Sequence, residues 1–256
     1  MSNNPPPLSQ PLHILVTAGP TRERIDKVRD WGNIFTGRTG LDLALAFLHL
    51  GSVTLLTSNQ QHADQYDGYS GGAGMLGVET FSTHAELQLL LEERMTSGDR
   101  VDVVAMSAAV SDYKPTATFR IVERTKRPDG KESWVVEDVS APKVKSTHQQ
   151  IAIAAAATPK LIDMFRSNWN YRGVLIKFKL EVDITEEELL RVASASRTAS
   201  KADLMVANTL AMTQASSGIP SGAYLIDDAG AVRTPRAVLA QHIVEWTRAH
   251  LAEGVK

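Results

Sequence analysis

Apolar positions along the chain follow two rhythms that alternate. Leu12-His-Ile-Leu-Val-Thr17 is a short, nearly continuous apolar run stopped by Ala18-Gly19-Pro20. That pattern predicts a strand buried on both faces of a parallel sheet. Leu41, Ala44, Leu45 and Leu48 then recur at i, i+3, i+4 and i+7, which predicts a helix ended by Gly51. Val53–Thr57 reads as the next strand, so the chain opens as a β-loop-α-β unit. Further strands are predicted over Gly77–Phe81, Val101–Met106, Val174–Phe178 and Asp203–Ala207. Helices are marked by Leu87, Leu90, Leu91 and Met95, by Pro159 at a first turn, and by Thr185 with three glutamates behind it. A hairpin over Ala223–Val232 turns at Asp228-Ala-Gly230, and a last helix carries Leu239, Ile243 and Trp246.

Two stretches break the alternation. Residues 59–76 are rich in Gly, Gln, Asp and Tyr without a period, and read as an exposed insertion. From Lys114 to about Lys145 the chain is charged, with a turn at Pro128-Asp-Gly130, the pattern of a hairpin arm or a mobile flap. Residues 1–11 read as a flexible tail. Residues 12–256 read as one α/β domain, a Rossmann-like, mostly parallel sheet flanked by helices.

Composition narrows the chemistry. Of 256 residues, 43% are hydrophobic and 22% charged, which fits a globular chain and not a disordered one. The formal net charge of -2 argues against nucleic acid as a partner, so any phosphate site must be local. There is no cysteine, which excludes disulfides, thiolate metal sites and a protein thiol as nucleophile. The N-terminus has neither a basic start nor an apolar core, and no run approaches the roughly 20 apolar residues that span a bilayer. The expectation is a cytoplasmic protein with no membrane contact. The seven histidines are scattered with no His-x-x-x-His pair, so none is promoted to a ligand.

Three segments carry candidate chemistry. Thr17-Ala-Gly-Pro-Thr-Arg-Glu-Arg-Ile-Asp26 sits where a dinucleotide-binding protein has its glycine-rich turn. It holds one glycine followed by proline, which disfavours a tight NAD turn and leaves a loop capped by Thr21 as the alternative. Thr36-Gly-Arg-Thr-Gly40 opens a helix, where free N–H groups, hydroxyls and a cation can hold an anion, or where glycine merely eases entry to the helix. Ser107-Ala-Ala-Val-Ser-Asp112-Tyr113 follows a strand, at the end of the sheet where ligands collect. Asp112 can serve a sugar, a base or a magnesium ion, or simply cap a turn.

Taken in order, these segments resemble phosphopantothenate–cysteine ligase. The family shows Gly-Pro-Thr-Arg-Glu-x-Ile-Asp followed by an asparagine, a Thr/Ser-Gly-Arg/Lys-x-Gly loop, and Ala-Ala-Val-Ser-Asp-Tyr. Later stretches agree: Ala141-Pro-Lys143-Val-Lys145-Ser146, Thr158-Pro159-Lys160-Leu161-Ile162, Ile176-Lys-Phe178-Lys-Leu-Glu181 and Asp203-Leu-Met-Val-Ala-Asn208. The matches run colinearly from about residue 12 to 250.

The resemblance implies a two-step reaction. The carboxylate of 4'-phosphopantothenate attacks the α-phosphate of a nucleotide, and the amine of L-cysteine then displaces the mononucleotide. By resemblance, Asn33 donates to the acyl carbonyl, Arg29 supports its loop or binds an anion, and Lys143 neutralises triphosphate charge. Met106, Ser107 and Ala108 contact the base through backbone, Asp112 holds nucleotide or Mg2+, and Phe178 packs on the nucleoside. Pro159, Lys160, Leu161 and Ile162 are implied at the nucleotide, and Thr36, Gly37, Arg38, Gly40 and Asn208 at substrate or phosphate. The family usually places two triphosphate-binding lysines before Asp203. Here Ser196 and Ser200 stand there, with Arg197 and Lys201 one step later. Lys27 replaces a usual proline, Arg38 a common lysine, and Thr209 a common aspartate.

CTP is implied over ATP because the chain otherwise looks bacterial. No flavin is expected, since nothing resembles the flavin-dependent decarboxylase fused to many relatives. A homodimer is implied, with the arm at 114–145 reaching across. Two rivals stand beside this reading. One is an NAD(P)-binding Rossmann oxidoreductase. The other is a nucleotide-binding homologue without catalysis, which the displaced basic residues before Asp203 would suit.

Overall fold

The computed structural model describes residues 10–213 and 221–253. In chain order its elements are β1 (Leu12–Ala18), β2 (Arg22–Arg24), β3 (Asp30–Gly32), α1 (Arg38–Phe47), β4 (Gly51–Thr57), α2 (Gln60–Tyr66), β5 (Ser70–Gly71), β6 (Gly74–Thr80), α3 (His84–Thr96) and β7 (Val103–Met106). The second half adds β8 (Tyr113–Lys126), β9 (Glu132–Asp138), β10 (Ile151–Ala157), α4 (Leu161–Ser167), β11 (Val174–Glu181), α5 (Glu186–Ser200), β12 (Leu204–Thr209), α6 (Leu210–Thr213), β13 (Gly222–Asp227), β14 (Gly230–Pro235) and α7 (Leu239–Glu253).

The main sheet runs β14-β13-β12-β11-β7-β1-β4-β6-β5. Its six central strands, β12 to β6, are parallel, and β13, β14 and β5 add antiparallel edges. Counted along the chain, those six stand in the order 6-5-4-1-2-3, which is the doubly wound Rossmann arrangement. The order reverses between β1 and β7, where the chain leaves first to one side and later to the other.

The apolar runs became the central strands because both of their faces are covered. Leu12, Ile14 and Val16 of β1 face a core shared with Leu41, Ala44 and Phe47 of α1 and with Leu239 and Ile243 of α7. Leu15 faces the opposite core, built by Leu87 and Leu91 of α3 and by Leu161 and Phe165 of α4. Phe47 is fully buried, and a buried phenylalanine contributes roughly 1.5–3 kcal/mol. Its burial fixes α1 against the sheet and so sets the position of the loop that starts that helix. A capping box of Thr83 and Glu86 opens α3, and the Thr185 hydroxyl accepts from Glu188 N to open α5.

The structure departs from the sequence reading in four places. Gly51 does not end α1 but begins β4; a Cβ there would lie 2.0 Å from the Leu12 carbonyl oxygen, so its need is close strand packing. The stretch 59–76 contains α2, capped by Asn59, together with β5 and the start of β6. The polar loop after Pro20 contains the β2–β3 hairpin. The arm at 114–145 is a hairpin of β8 and β9, and a third strand, β10, joins it. The expected N-terminal tail lies outside the described residues, apart from Gln10 and Pro11. No helix among the described residues is long and apolar enough to cross a membrane.

Candidate functional site

Beyond the carboxyl ends of β1 and β7, the two loops that leave the sheet run side by side. Ser107 Oγ donates to Thr17 O at 2.6 Å, Ala108 N to Thr17 Oγ1 at 3.1 Å, and Ala109 N to Gly19 O at 3.0 Å. Thr21 N returns a bond to Ala109 O, and Ser111 N donates to Thr21 Oγ1 at 2.8 Å. These bonds hold the two loops together, and Gly19, Ser107, Ala108 and Ala109 line the crevice beside them.

That crevice is a cavity of about 440 Å³, within the usual range for small-molecule sites and at the switch point where open α/β sheets bind ligands. Gly19, the Phe35–Gly40 segment and Ser107–Ala109 form one side. Phe178, Leu180, Val206, Asn208 and Met212 form the other. Gly37 caps α1 at φ +82°, and a Cβ on it would come within 2.7 Å of Gly19 N. A Cβ on Gly40 would meet Ser107 Oγ at 2.6 Å. Both glycines are therefore required for the backbone of this loop to lie against the β1 and β7 loops. The cations lining the cavity are Arg38, Lys179 and Arg236, and no carboxylate lines it among the described residues. Arg38 and Lys179 are ion-paired, with Asp42 and Glu181, at 2.7 Å each.

The glycine loop is held from below by a buried histidine. Asn59 Nδ2 donates to Thr36 O at 3.1 Å, and its Oδ1 accepts from Gln61 N, which fixes the amide orientation. The same Nδ2 lies 3.2 Å from His62 Nε2, so Nε2 accepts and Nδ1 donates to Thr57 Oγ1 at 2.9 Å. Burial, reinforced by the Arg38 charge, pushes the His62 pKa down and keeps this neutral tautomer.

A second cleft, of about 380 Å³, lies between Val28–Arg29 and Lys143–Thr147. Asp26 organises it. Its buried carboxylate accepts from the backbone of Val28, Arg29 and Val144 and is ion-paired with the Arg29 guanidinium. The Arg29 guanidinium and these N–H groups hold the Asp26 carboxyl well below the usual carboxylate range.

The sequence candidates fall into distinct groups. Thr36, Gly37, Arg38, Gly40, Ser107, Ala108, Phe178 and Asn208 line the cavity. Asn33 is exposed at its lip and donates to Ala109 O at 3.2 Å. Arg29 and Lys143 face the second cleft. Asp112 and Lys160 are ion-paired to each other and line neither space. Met106 is buried and accepts from Thr17 Oγ1 through its sulfur; Leu161 is a core residue, and Ile162 packs against the same core. The Pro159 carbonyl faces His84 Nε2 at 2.8 Å.

Arg197 and Lys201 are not brought to the cavity. They stand at the carboxyl end of α5, which leads into the start of β12, so they occupy the opposite end of the sheet. Arg197 donates to Ala202 O and Asp203 O and is paired with Asp228, and Lys201 is the left-handed C-cap of α5. The sequence reading missed Phe35, Lys179 and Arg236. Lys179 lies inside a quoted motif and Phe35 directly before the Thr36–Gly40 loop, whereas nothing in the linear sequence ties Arg236 to that loop.

Cavity, glycine loop and strand order define a Rossmann-type α/β domain with a phosphate-compatible crevice at its switch point. Residues 10–133 match the DNA/pantothenate metabolism flavoprotein C-terminal domain. The chain is 30% identical over 198 residues to the coenzyme A biosynthesis bifunctional protein CoaBC of Thermococcus kodakarensis, covering 77% of this chain and 41% of that protein. It thus spans about two-fifths of that relative's length. The DNA/pantothenate metabolism flavoprotein structure from Streptococcus pneumoniae superposes with a TM-score of 0.66 at 26% identity, covering 95% of this chain and 96% of that one. A Cab2 mutant solved with phosphopantothenate-cysteine shares the fold, with a TM-score of 0.64 at 17% identity over 95% of this chain and 87% of that one. The chain is thus similar to the CoaBC C-terminal domain, in line with the colinear motifs that resemble phosphopantothenate–cysteine ligase.

Proposed function

We propose that the protein joins 4'-phosphopantothenate to L-cysteine through an acyl-nucleotide, a step of coenzyme A synthesis. One observation carries the reading: a switch-point cavity lined by three cations and no carboxylate among the described residues, with Asn33 at its lip. The relatives' names point to the same chemistry.

In this account the nucleoside lies along Phe178 and the apolar wall, and its phosphates lie over the Gly37–Gly40 N–H groups at the positive end of α1. The phosphopantothenate carboxylate oxygen attacks the α-phosphorus and pyrophosphate leaves. The cysteine amine then attacks the acyl carbonyl, loses a proton, and expels the nucleoside monophosphate. Asn33 turns its amide from Ala109 O to the acyl oxygen as negative charge develops there. Arg29 and Lys143 act from the second cleft, which we assign to the partner's cavity in a homodimer. Exposed Val122, Trp134 and Val135 on the β8–β9 arm offer the apolar contact for such a dimer.

Magnesium accompanies the triphosphate as part of the substrate. Asp112 is engaged by Lys160, and no cluster of three His, Cys, Asp or Glu suited to a metal occurs among the described residues. The described residues therefore supply no ligand set for a resident ion. CTP is the preferred nucleotide in this proposal, and the cytoplasm its setting. A rival dinucleotide oxidoreductase is disfavoured because residues 19–37 separate β1 from α1, so no glycine turn runs straight into the helix.

The test supplies phosphopantothenate, cysteine, Mg2+ and either CTP or ATP. Pyrophosphate release with phosphopantothenoylcysteine formation, faster with CTP, is expected. No release with either nucleotide would remove the proposal.

A further inference from the structure

Arg236 enters the cavity from the turn between β14 and α7, 197 positions from the glycine loop it touches. Its Nη1 donates to Thr39 Oγ1 at 2.8 Å. Its Nη2 stands 4.0 Å from Asp42 Oδ2, too far for a hydrogen bond, while Asp42 Oδ1 already accepts from Arg38 Nε at 2.7 Å. One carboxylate thus lies between two guanidiniums, and the rim keeps an excess positive charge. The Arg236 side chain is 37% exposed, and its backbone is fixed by a 3.0 Å bond from its N–H to Ser221 O. The next turn is fixed too, since Leu239 is buried in the core beside α1.

These contacts place a planar, anchored guanidinium beside the N–H groups and hydroxyl that open α1. A phosphate over the loop would meet backbone donors from one side and a fork of arginine donors from the other. We infer that Arg236 is a binding residue for the nucleotide's phosphate chain and sets the preference for a triphosphate over a monophosphate. Thr39 positions it. The inference rests on the reading of the cavity as a nucleotide site. It adds to that site a residue from the C-terminal part of the chain.

A chain of phosphates is favoured over a lone phosphate by the breadth of the donor array. Arg38, the α1 N-terminus and Arg236 all line the cavity, and a chain of phosphates offers that array more oxygens and more charge than a single phosphate does. Arginine also differs from lysine here, because only the fork can grip two phosphate oxygens at once.

The experiment measures direct binding by calorimetry, using CTP, CMP, inorganic tripolyphosphate and phosphopantothenate with wild type, Arg236→Gln and Arg236→Lys. The glutamine variant is expected to bind CTP and tripolyphosphate roughly tenfold more weakly, since one charge-assisted contact is lost, with CMP and phosphopantothenate nearly unchanged. The lysine variant should fall between the two. Wild-type CTP affinity in the glutamine variant overturns the inference, as does a loss confined to phosphopantothenate or equal for CMP and CTP. If the glutamine variant does not fold, the lysine variant decides: weaker CTP binding supports the role, and unchanged binding overturns it. A wild type that binds CTP through Arg236 but forms no amide would sink the ligase proposal and leave this inference standing.

Discussion

Arg29 Nη2 donates a 2.9 Å hydrogen bond to the carbonyl of Val144, a residue 115 positions further along the chain. With the ion pair to Asp26 and the bond from Lys27 N to Pro142 O, it ties the loop before Asn33 to the loop carrying Lys143. Arg29 is thus bound on one side to structure while its cleft stays open to a ligand.

Asp26→Asn should separate these loops. The folded pKa of Asp26 is depressed, so its stabilisation is complete above the unfolded value of about 4 and is lost as pH falls through the folded value. The variant should therefore lose the acid-dependent part of loop docking, read as faster proteolysis around residues 140–147 at pH 7. Ligase activity should fall about a hundredfold if the loops shift by about 1 Å. Unchanged proteolysis and activity would remove Asp26 from this role.

Gly37→Ala tests the loop itself. Gly37 has a left-handed φ of +82°, and the added Cβ would press on Gly19 N at 2.7 Å. The left-handed conformation alone costs roughly 1–2 kcal/mol for a residue with a Cβ, and the clash adds to it. Thermal unfolding should shift down and CTP binding should weaken. A variant that keeps wild-type stability would show the loop is not held against Gly19.

His62 makes a pH prediction. Its folded pKa lies below the unfolded value of about 6.5. Its contribution is full above that value and is lost as pH falls through the folded one. Protonation would turn Nε2 into a donor facing the Asn59 amide and free Thr36. Melting temperature should therefore drop below about pH 6.5 in wild type, and His62→Phe should flatten that dependence. An equally steep profile in the variant would contradict the relay.

Arg197→Ala separates the two ends of the sheet. The side chain bonds Ala202 O and Asp203 O at 3.3 and 3.2 Å, far from the cavity lining. The substitution should cost about 1.5–3 kcal/mol of stability, as hydrogen bonds from a charged group do, and leave the KM for nucleotide unchanged. A raised nucleotide KM with unchanged melting would return Arg197 to the site.

Much of this was legible in the sequence where burial is two-sided or caps are local. The central strands announced themselves as apolar runs, and Thr185 and the Gly37 loop as helix starts. The strand β10 was missed because Ile151–Ala157 is mostly alanine and offers little polar contrast. Helix α2 was missed because His62 is its one buried residue. Leu161 was read from a motif, which does not say which way a side chain points; packing sent it into the core beside α3. Arg236 was invisible, because only the turn after β14 brings it to Thr39.

The most direct test withholds cysteine. Wild type given phosphopantothenate, CTP and Mg2+ should release one equivalent of pyrophosphate per site and hold the acyl-cytidylate, which added cysteine then consumes. Asn33→Asp should reach the same intermediate but pass it on slowly when cysteine is added. Pyrophosphate that appears only after cysteine arrives, with no acyl-nucleotide in a rapid quench, would contradict the account.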